Sequence, residues 1–248
     1  MIELDDIILC VLAGILAGII NTLAGSGSVI TLSLLSFIGL PVELANGTNR
    51  IGIFFQSSTS SLKFYQKGQL SLKGKIWLLV LSGLGAALGV YVASQLKPED
   101  FKIAVGFIFC ILFFVILLKP QNYIKDSSIL KKILPVLFGL IGFYAGFIQA
   151  GAGLFMLAIM NAVWGKSFTQ LNPIKVFIVF LINAIALSGY AFAGLVDWEF
   201  GISLAIGQII GALIGVRINN LKNNIEPVLR ILLLGLILMS IAKFWDIF

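Results

Sequence analysis

Long apolar runs separated by short polar breaks organise this chain. In the first half they fall at about 7–24, 29–40, 46–62, 76–96 and 101–118. After a polar stretch they recur at about 133–150, 152–164, 172–192, 199–219 and 227–247. The runs are continuous rather than alternating, so they predict helices and not barrel strands. Several reach the roughly 18–20 residues that a helix needs to cross about 30 Å of hydrocarbon. The stretch that opens Lys119-Pro120-Gln121-Asn122-Tyr123-Ile124-Lys125-Asp126 is polar enough to leave the bilayer. It divides the chain into a first transmembrane repeat (1–118), a linker (119–132) and a second transmembrane repeat (133–248).

Composition strengthens this picture. Of the 248 residues, 59% are hydrophobic and 11% charged, whereas a soluble domain carries about 25% charged residues. Mean hydropathy is +1.07. The fold class expected is therefore an all-α integral membrane protein. The start, Met1-Ile2-Glu3-Leu4-Asp5-Asp6, is acidic where a signal peptide needs a basic region, so the first run reads as a retained membrane helix.

The two halves resemble each other. The second run of each half is short and follows a glycine-rich break: Ala24-Gly25-Ser26-Gly27-Ser28 in the first, Ala150-Gly151-Ala152-Gly153 in the second. The offset that places Gly25 on Gly151 also places Gly68 on Gly194, Gly85 on Gly211 and Gly89 on Gly215. Upstream, Gly14 and Gly18 match Gly142 and Gly146 once two residues are dropped. Loop charges then suggest that the halves are inverted. Residues 63–75 hold Lys63, Lys67, Lys73 and Lys75 without an acid, which marks a cytoplasmic loop, and the linker with Lys119, Lys125, Lys131 and Lys132 is read the same way. The equivalent loop near 193–199 holds Asp197 and Glu199 without a base.

Interrupted helices in inverted repeats place a substrate near the midplane. A helix beginning after a break aims free N–H groups and its positive dipole end at the gap, which suits an anion. The candidate substrate-binding groups are Asn21, Gly25, Ser26, Gly27, Ser28, Thr48, Asn49 and Arg50 in the first half, and Gln149, Gly151, Gly153 and Lys175 in the second. Blander roles stand beside these: glycines that only allow close helix approach, Asn46, Thr48 or Asn172 as N-caps with Pro173 at N1, and cations that snorkel to headgroups. Gln56, Asn183 and Gln208 read first as interhelical hydrogen-bonding groups. No acidic residue lies inside an apolar run away from its ends, which disfavours a cation path. Histidine is absent; this excludes histidine metal sites and leaves few acid–base groups for an enzyme. No catalytic residue, metal or cofactor is expected, and the net charge of +6 is read as loop charge and not as a nucleic-acid surface. The expected partners are a small anion and the lipid bilayer, and nothing in the sequence signals an oligomeric state.

The pattern Gly14-x-x-x-Gly18-x-x-Asn21-x-x-Ala24-Gly25-Ser26-Gly27-Ser28, then Gly39-Leu40-Pro41 and Ala45-Asn46-Gly47-Thr48-Asn49, resembles the TauE/SafE sulfite exporter family. Ala150-Gly151-Ala152-Gly153 and Gly194-x-x-Asp197-Trp198 are similar to that family's second repeat. Two departures are Ser28, where another glycine is common, and Leu171-Asn172-Pro173-Ile174 in place of a clear A-x-T-S segment. The resemblance implies a secondary transporter in the bacterial inner membrane that moves sulfite, sulfoacetate or related sulfonates. The residues by themselves support a small anion; a non-transporting membrane scaffold is the alternative. The inverted orientation is open to a direct test. With Cys10 and Cys110 replaced, single cysteines at Ser71→Cys and Glu199→Cys should react with an impermeant maleimide from opposite faces of the membrane. Reaction from one face only would reject inversion.

Overall fold

The computed structural model describes residues 4–118, 128–219, 234–235 and 237–243. Linker residues 119–127 and most of the last apolar run lie outside the described residues. Those described include nine helices: α1 (Leu4–Leu23), α2 (Ser28–Phe37), α3 (Val42–Gln66), α4 (Ile76–Gln95), α5 (Pro98–Leu118), α6 (Ser128–Phe147), α7 (Ala152–Trp164), α8 (Phe168–Phe192) and α9 (Trp198–Ile218). Residues 237–243 of the last run are also helical, and Ser240 hydrogen-bonds to Ser33 of α2. The chain is an all-helical, multi-pass membrane protein. Six of the described helices are long and apolar enough to cross a bilayer, and α2 and α7, with 10 and 13 residues, are not.

Lipid-facing and core-facing positions separate as a membrane requires. Leu84, Leu88 and Tyr91 on α4, Ile103, Phe107, Ile111 and Phe114 on α5, and Ile202, Ile206 and Ile210 on α9 form exposed apolar stripes at helical spacing. Polar residues face inward instead: Asn46, Thr48, Asn49, Arg50, Gln56, Ser57, Ser60 and Ser61 of α3 are all buried. No water reaches this interior from lipid, so those groups must pair within the bundle.

Glycine seams fix the helix pairs. Gly14 and Gly18 of α1 face Gly207 and Gly211 of α9: a Cβ on Gly18 would stand 3.0 Å from the Gly211 Cα. On the other side, Gly142 and Gly146 of α6 lie against Ser82 and Ala86 of α4: a Cβ on Gly142 would stand 2.6 Å from the Ser82 Cα. Gly85 and Gly89 complete that seam from the α4 side. Small residues of this kind let helix backbones approach closely enough for dispersion to hold them in lipid.

These contacts also give direction. Gly14 pairs with Gly207 and Thr22 with Gly215, so α1 and α9 run in one sense; Thr48 meets Asp197 and Ile51 meets Gly201, so α3 joins them. By the same reasoning α4, α6 and α8 run together, through Ser82–Gly142, Ala86–Gly146, Gly83–Ile185 and Val90–Gly189. Asn46 meets Tyr190 and Arg50 meets Asn183, so α3 and α8 are antiparallel. Since α1 and α3 both start on the same side, α2 must carry the chain back toward that side, and α1–α2 is a hairpin. By the same reasoning α6–α7 is a hairpin of opposite sense.

Two helix starts differ from the sequence expectation. α3 begins at Val42 after the cap residue Pro41, and α8 begins at Phe168 behind a Ser167–Gln170 capping box. Asn46, Thr48, Asn172 and Pro173 therefore lie within helices and do not cap their own, and the Asn46, Thr48 and Asn172 side chains bond to residues of other elements. Pro173 has no N–H for the carbonyl of Thr169, and Asn219 Nδ2 donates to that carbonyl at 3.4 Å instead. The seams predict a large effect from one added side chain. Gly211→Leu would drive α9 from α1 and should cost about 1–3 kcal/mol or more, read as a lower melting temperature in detergent; Gly39→Ala, which meets nothing within 4 Å, is limited to the strain of its positive φ of 100°.

Candidate functional site

Each hairpin turns at its glycine break. α1 stops at Leu23, and Gly25 takes a φ of +81°; α6 stops at Phe147, and Gly151 takes a φ of +74°. A side chain is strained in this left-handed region, so glycine is the residue that lets the chain reverse there. The two tips meet. A Cβ on Gly153 would lie 2.6 Å from the Gly25 Cα, so the backbones are in van der Waals contact with no room for an ion between them. Ser28 Oγ donates across the contact to the Gln149 carbonyl at 3.4 Å.

The cations of the opposite halves answer the broken helix ends. Arg50 of α3 donates through Nη1 to the Ala145 carbonyl (2.6 Å) and through Nη2 to the Gly146 carbonyl (3.0 Å), both at the C-terminus of α6. It also reaches Gln149 Oε1 at 3.3 Å, Asn183 Oδ1 at 3.5 Å and Asn46 Oδ1 at 3.4 Å, and lies 5.2 Å from the centre of the Tyr190 ring. Tyr190 and Asn46 in turn donate to the Phe147 carbonyl. Lys175 of α8 does the same for α1: its Nζ donates to the carbonyls of Asn21 (2.6 Å) and Thr22 (3.0 Å). A helix C-terminus carries about half a negative charge and several orphan carbonyls, so a cation is its natural partner in an apolar interior. Because α3 and α8 are antiparallel, Arg50 and Lys175 each lie about 6–8 Å from their own helix's midpoint, on opposite sides of the centre.

Both cations are fully buried, and among the described residues they are the charged side chains that are; no carboxylate is buried with them. Two cations thus sit at the junction against carbonyl and amide dipoles and the Tyr190 ring. Burying a charge without a counter-ion is costly.

The remaining candidates distribute as follows. Asn21 Oδ1 accepts from the Ser28 N–H at 3.1 Å, at the start of α2. Asn49 bonds Thr31 Oγ1 (2.7 Å) and the Ser28 carbonyl (3.3 Å), so it faces α2. Ser26 is buried in the first break, and a Cβ on Gly27 would stand 2.9 Å from the Ala17 Cα. Thr48 alone points elsewhere: its hydroxyl accepts from the Asp197 N–H at 2.9 Å, in the α8–α9 turn. Sequence reasoning did not place Asn46, Asn183 and Tyr190 at this junction. Asn46 was legible as a polar residue one turn before Arg50, but nothing in the linear chain marks Tyr190. A second polar cluster, Thr22 with Gln56 and Ser60, adjoins the α1 end. Among the described residues no three of His, Cys, Asp or Glu gather to hold a metal ion.

Comparison with known proteins places this geometry in a family. The model for the family described as Sulfite exporter TauE/SafE matches residues 10–244. The chain is 28% identical over 203 residues to "Probable membrane transporter protein ORF9" of Sinorhizobium sp, covering 80% of this chain and 77% of the relative. It is 27% identical over 214 residues to a "Probable membrane transporter protein" of Haemophilus influenzae, covering 84% and 82%. It is also 23% identical over 198 residues to "Probable membrane transporter protein YfcA" of Escherichia coli, covering 79% and 74%. No solved structure matches the chain significantly.

The two cations should differ in their structural weight. Arg50→Met removes the donor to two carbonyls and three amide oxygens at once and should cost about 3–5 kcal/mol, the scale for breaking a buried charged network. Lys175→Met orphans two carbonyls and should cost less, about 1–3 kcal/mol. Denaturant titration in mild detergent reads the order of the two; the reverse order would reject this account.

Proposed function

This chain belongs to the TauE/SafE sulfite exporter family, and from that premise we propose that it is a secondary transporter for small anions, of the sulfite and sulfonate class, working by alternating access where its two hairpins meet. The coarser statement, a membrane transporter, is what the family and the relatives share. One observation carries the finer one: Arg50 and Lys175 are buried at the hairpin junction with no buried carboxylate among the described residues to balance them. An anion arriving there gains from two cations and from the positive ends of α2 and α7. A metal cation or proton relay on carboxylates has nothing comparable to use.

The opposite senses of α1 and α6, of α3 and α8, and of α4 and α9 support an inverted relation between the halves. In such a pair, each hairpin is held mainly by the other half's long helix and cation. Relative motion of the halves would then part Gly25 from Gly153 and expose the junction to one side at a time. The relatives are bacterial, and a bacterial inner membrane is the setting this reading assigns.

The experiment is flux in proteoliposomes. Purified protein should move labelled sulfite and sulfoacetate, and excess unlabelled sulfite should compete, while sodium and potassium are not carried. Arg50→Ala and Lys175→Ala, checked as monodisperse, should each slow anion flux at least about tenfold, through loss of a cation from the junction. No flux of any sulfur oxyanion or sulfonate by the wild type would reject the proposal.

A further inference from the structure

The two sides of the junction are unequal, and the inequality locates the anion. Resting on the transporter reading above, we infer that the anion is held at the N-terminus of α2, where the Asn21 carboxamide now stands in for it, and that Lys175 is the cation that meets it while Arg50 serves as a fixed anchor.

The first observation is an orphan donor. Asn21 is 7% exposed, and its Oδ1 accepts the Ser28 N–H. Its Nδ2 is buried with no hydrogen-bond partner. The amide cannot be turned the other way, since Nδ2 would then face the Ser28 N–H, donor against donor. The stranded group sits beside a helix N-terminus, where anions bind, and it is the type of group an oxyanion recruits. Turning about its side-chain torsions, the carboxamide can release the Ser28 N–H to an arriving oxygen and present Nδ2 to a second one.

The second observation is the state of the cations. Arg50 has two carbonyls, three amide oxygens and an aromatic face around its two terminal nitrogens, and only its Nε–H is without a partner. Moving it would break all of these together. Lys175 has three N–H bonds, two of which go to the Asn21 and Thr22 carbonyls. One of its acceptors is thus the backbone of the very residue whose side chain lacks a partner. Its stem passes the hairpin contact: a Cβ on Gly153 would stand 3.1 Å from the Lys175 Cδ. The position of Tyr190 in the repeat offset is held in the first half by Phe64, which has no hydroxyl to brace this side.

The third is the start of α7. It begins after Gly151 with no side-chain cap, and Gly153 in its first turn touches Gly25. Its positive end therefore opens on the same point from the other half. Together, Ser28 N–H, Asn21 Nδ2 and Lys175 Nζ offer three donors from α1, α2 and α8. That number suits the three oxygens of a sulfite or sulfonate head.

Asn21→Asp tests this, because it builds the anion in. A carboxylate keeps the cap on Ser28 and pairs with Lys175, so the variant should melt at or above the wild-type temperature in detergent. It should lose the stabilisation that added sodium sulfite gives the wild type, with affinity at least about 100-fold weaker and flux lost to match. Asn21→Ser removes Nδ2 and ends one bond short of the Ser28 N–H; it should bind sulfite about 10- to 100-fold more weakly while melting only modestly lower than the wild type. If either folded variant binds and moves sulfite as the wild type does, the site is not at Asn21, and the transporter reading stands without it. A wild type that neither binds nor moves sulfite or sulfoacetate would overturn both.

Discussion

A helix that stops inside an apolar bundle leaves carbonyls with no partner, and no solvent is there to take them up. This chain stops two helices in that way, at Leu23 and at Phe147. Each end is answered by a cation from the other half of the sequence: Lys175 for α1, Arg50 for α6. Much of the architecture follows from this exchange. The long helix of one half lies beside the hairpin of the other, so the two halves interlock. The glycine seams repeat the same crossing, α1 on α9 and α6 on α4.

Interlocking also brings the hairpin tips into contact at Gly25 and Gly153. The carbonyl ends of α1 and α6 point into their cations, and the N-terminal ends of α2 and α7 converge at the point of contact. The site thus presents positive potential from four sources, two side chains and two helix starts, against no buried carboxylate among the described residues. That arrangement is the physical basis of the anion-transport proposal for this member of the TauE/SafE family.

The matched halves are not copies in their energetics. Arg50 is braced by Tyr190, Asn46, Gln149 and Asn183; Lys175 has two carbonyls and, nearby, the small hydroxyls and amide of Thr22, Ser60 and Gln56. A guanidinium with a rigid fork suits a fixed joint, whereas an ammonium on a flexible stem can change partners at low cost. A division of labour between anchor and moving group needs such a difference, and a perfectly symmetric pair would lack it.

Membrane insertion and the all-helical class were legible in the sequence because they depend on run length and hydropathy, which are properties of the linear chain. The paired breaks at Gly25 and Gly151 were legible too, since a left-handed turn has a residue preference that any position must obey. Arg50 and Lys175 stand out in the sequence as charges in apolar runs, and Asn46 as a polar residue for which a cap is one expected role. What those groups touch was not legible. Thr48 and Asn49 are neighbours in sequence, yet one faces the α8–α9 turn and the other faces α2, because consecutive helix positions point about 100° apart. Tyr190 lies 140 residues from Arg50 and meets it only because α3 and α8 run antiparallel through one core. The linear chain determined that charges and breaks exist inside the membrane. Only the tertiary structure decided that each cation belongs to the opposite half's helix end, since that choice depends on which helix ends come within reach of a side chain once the bundle is closed.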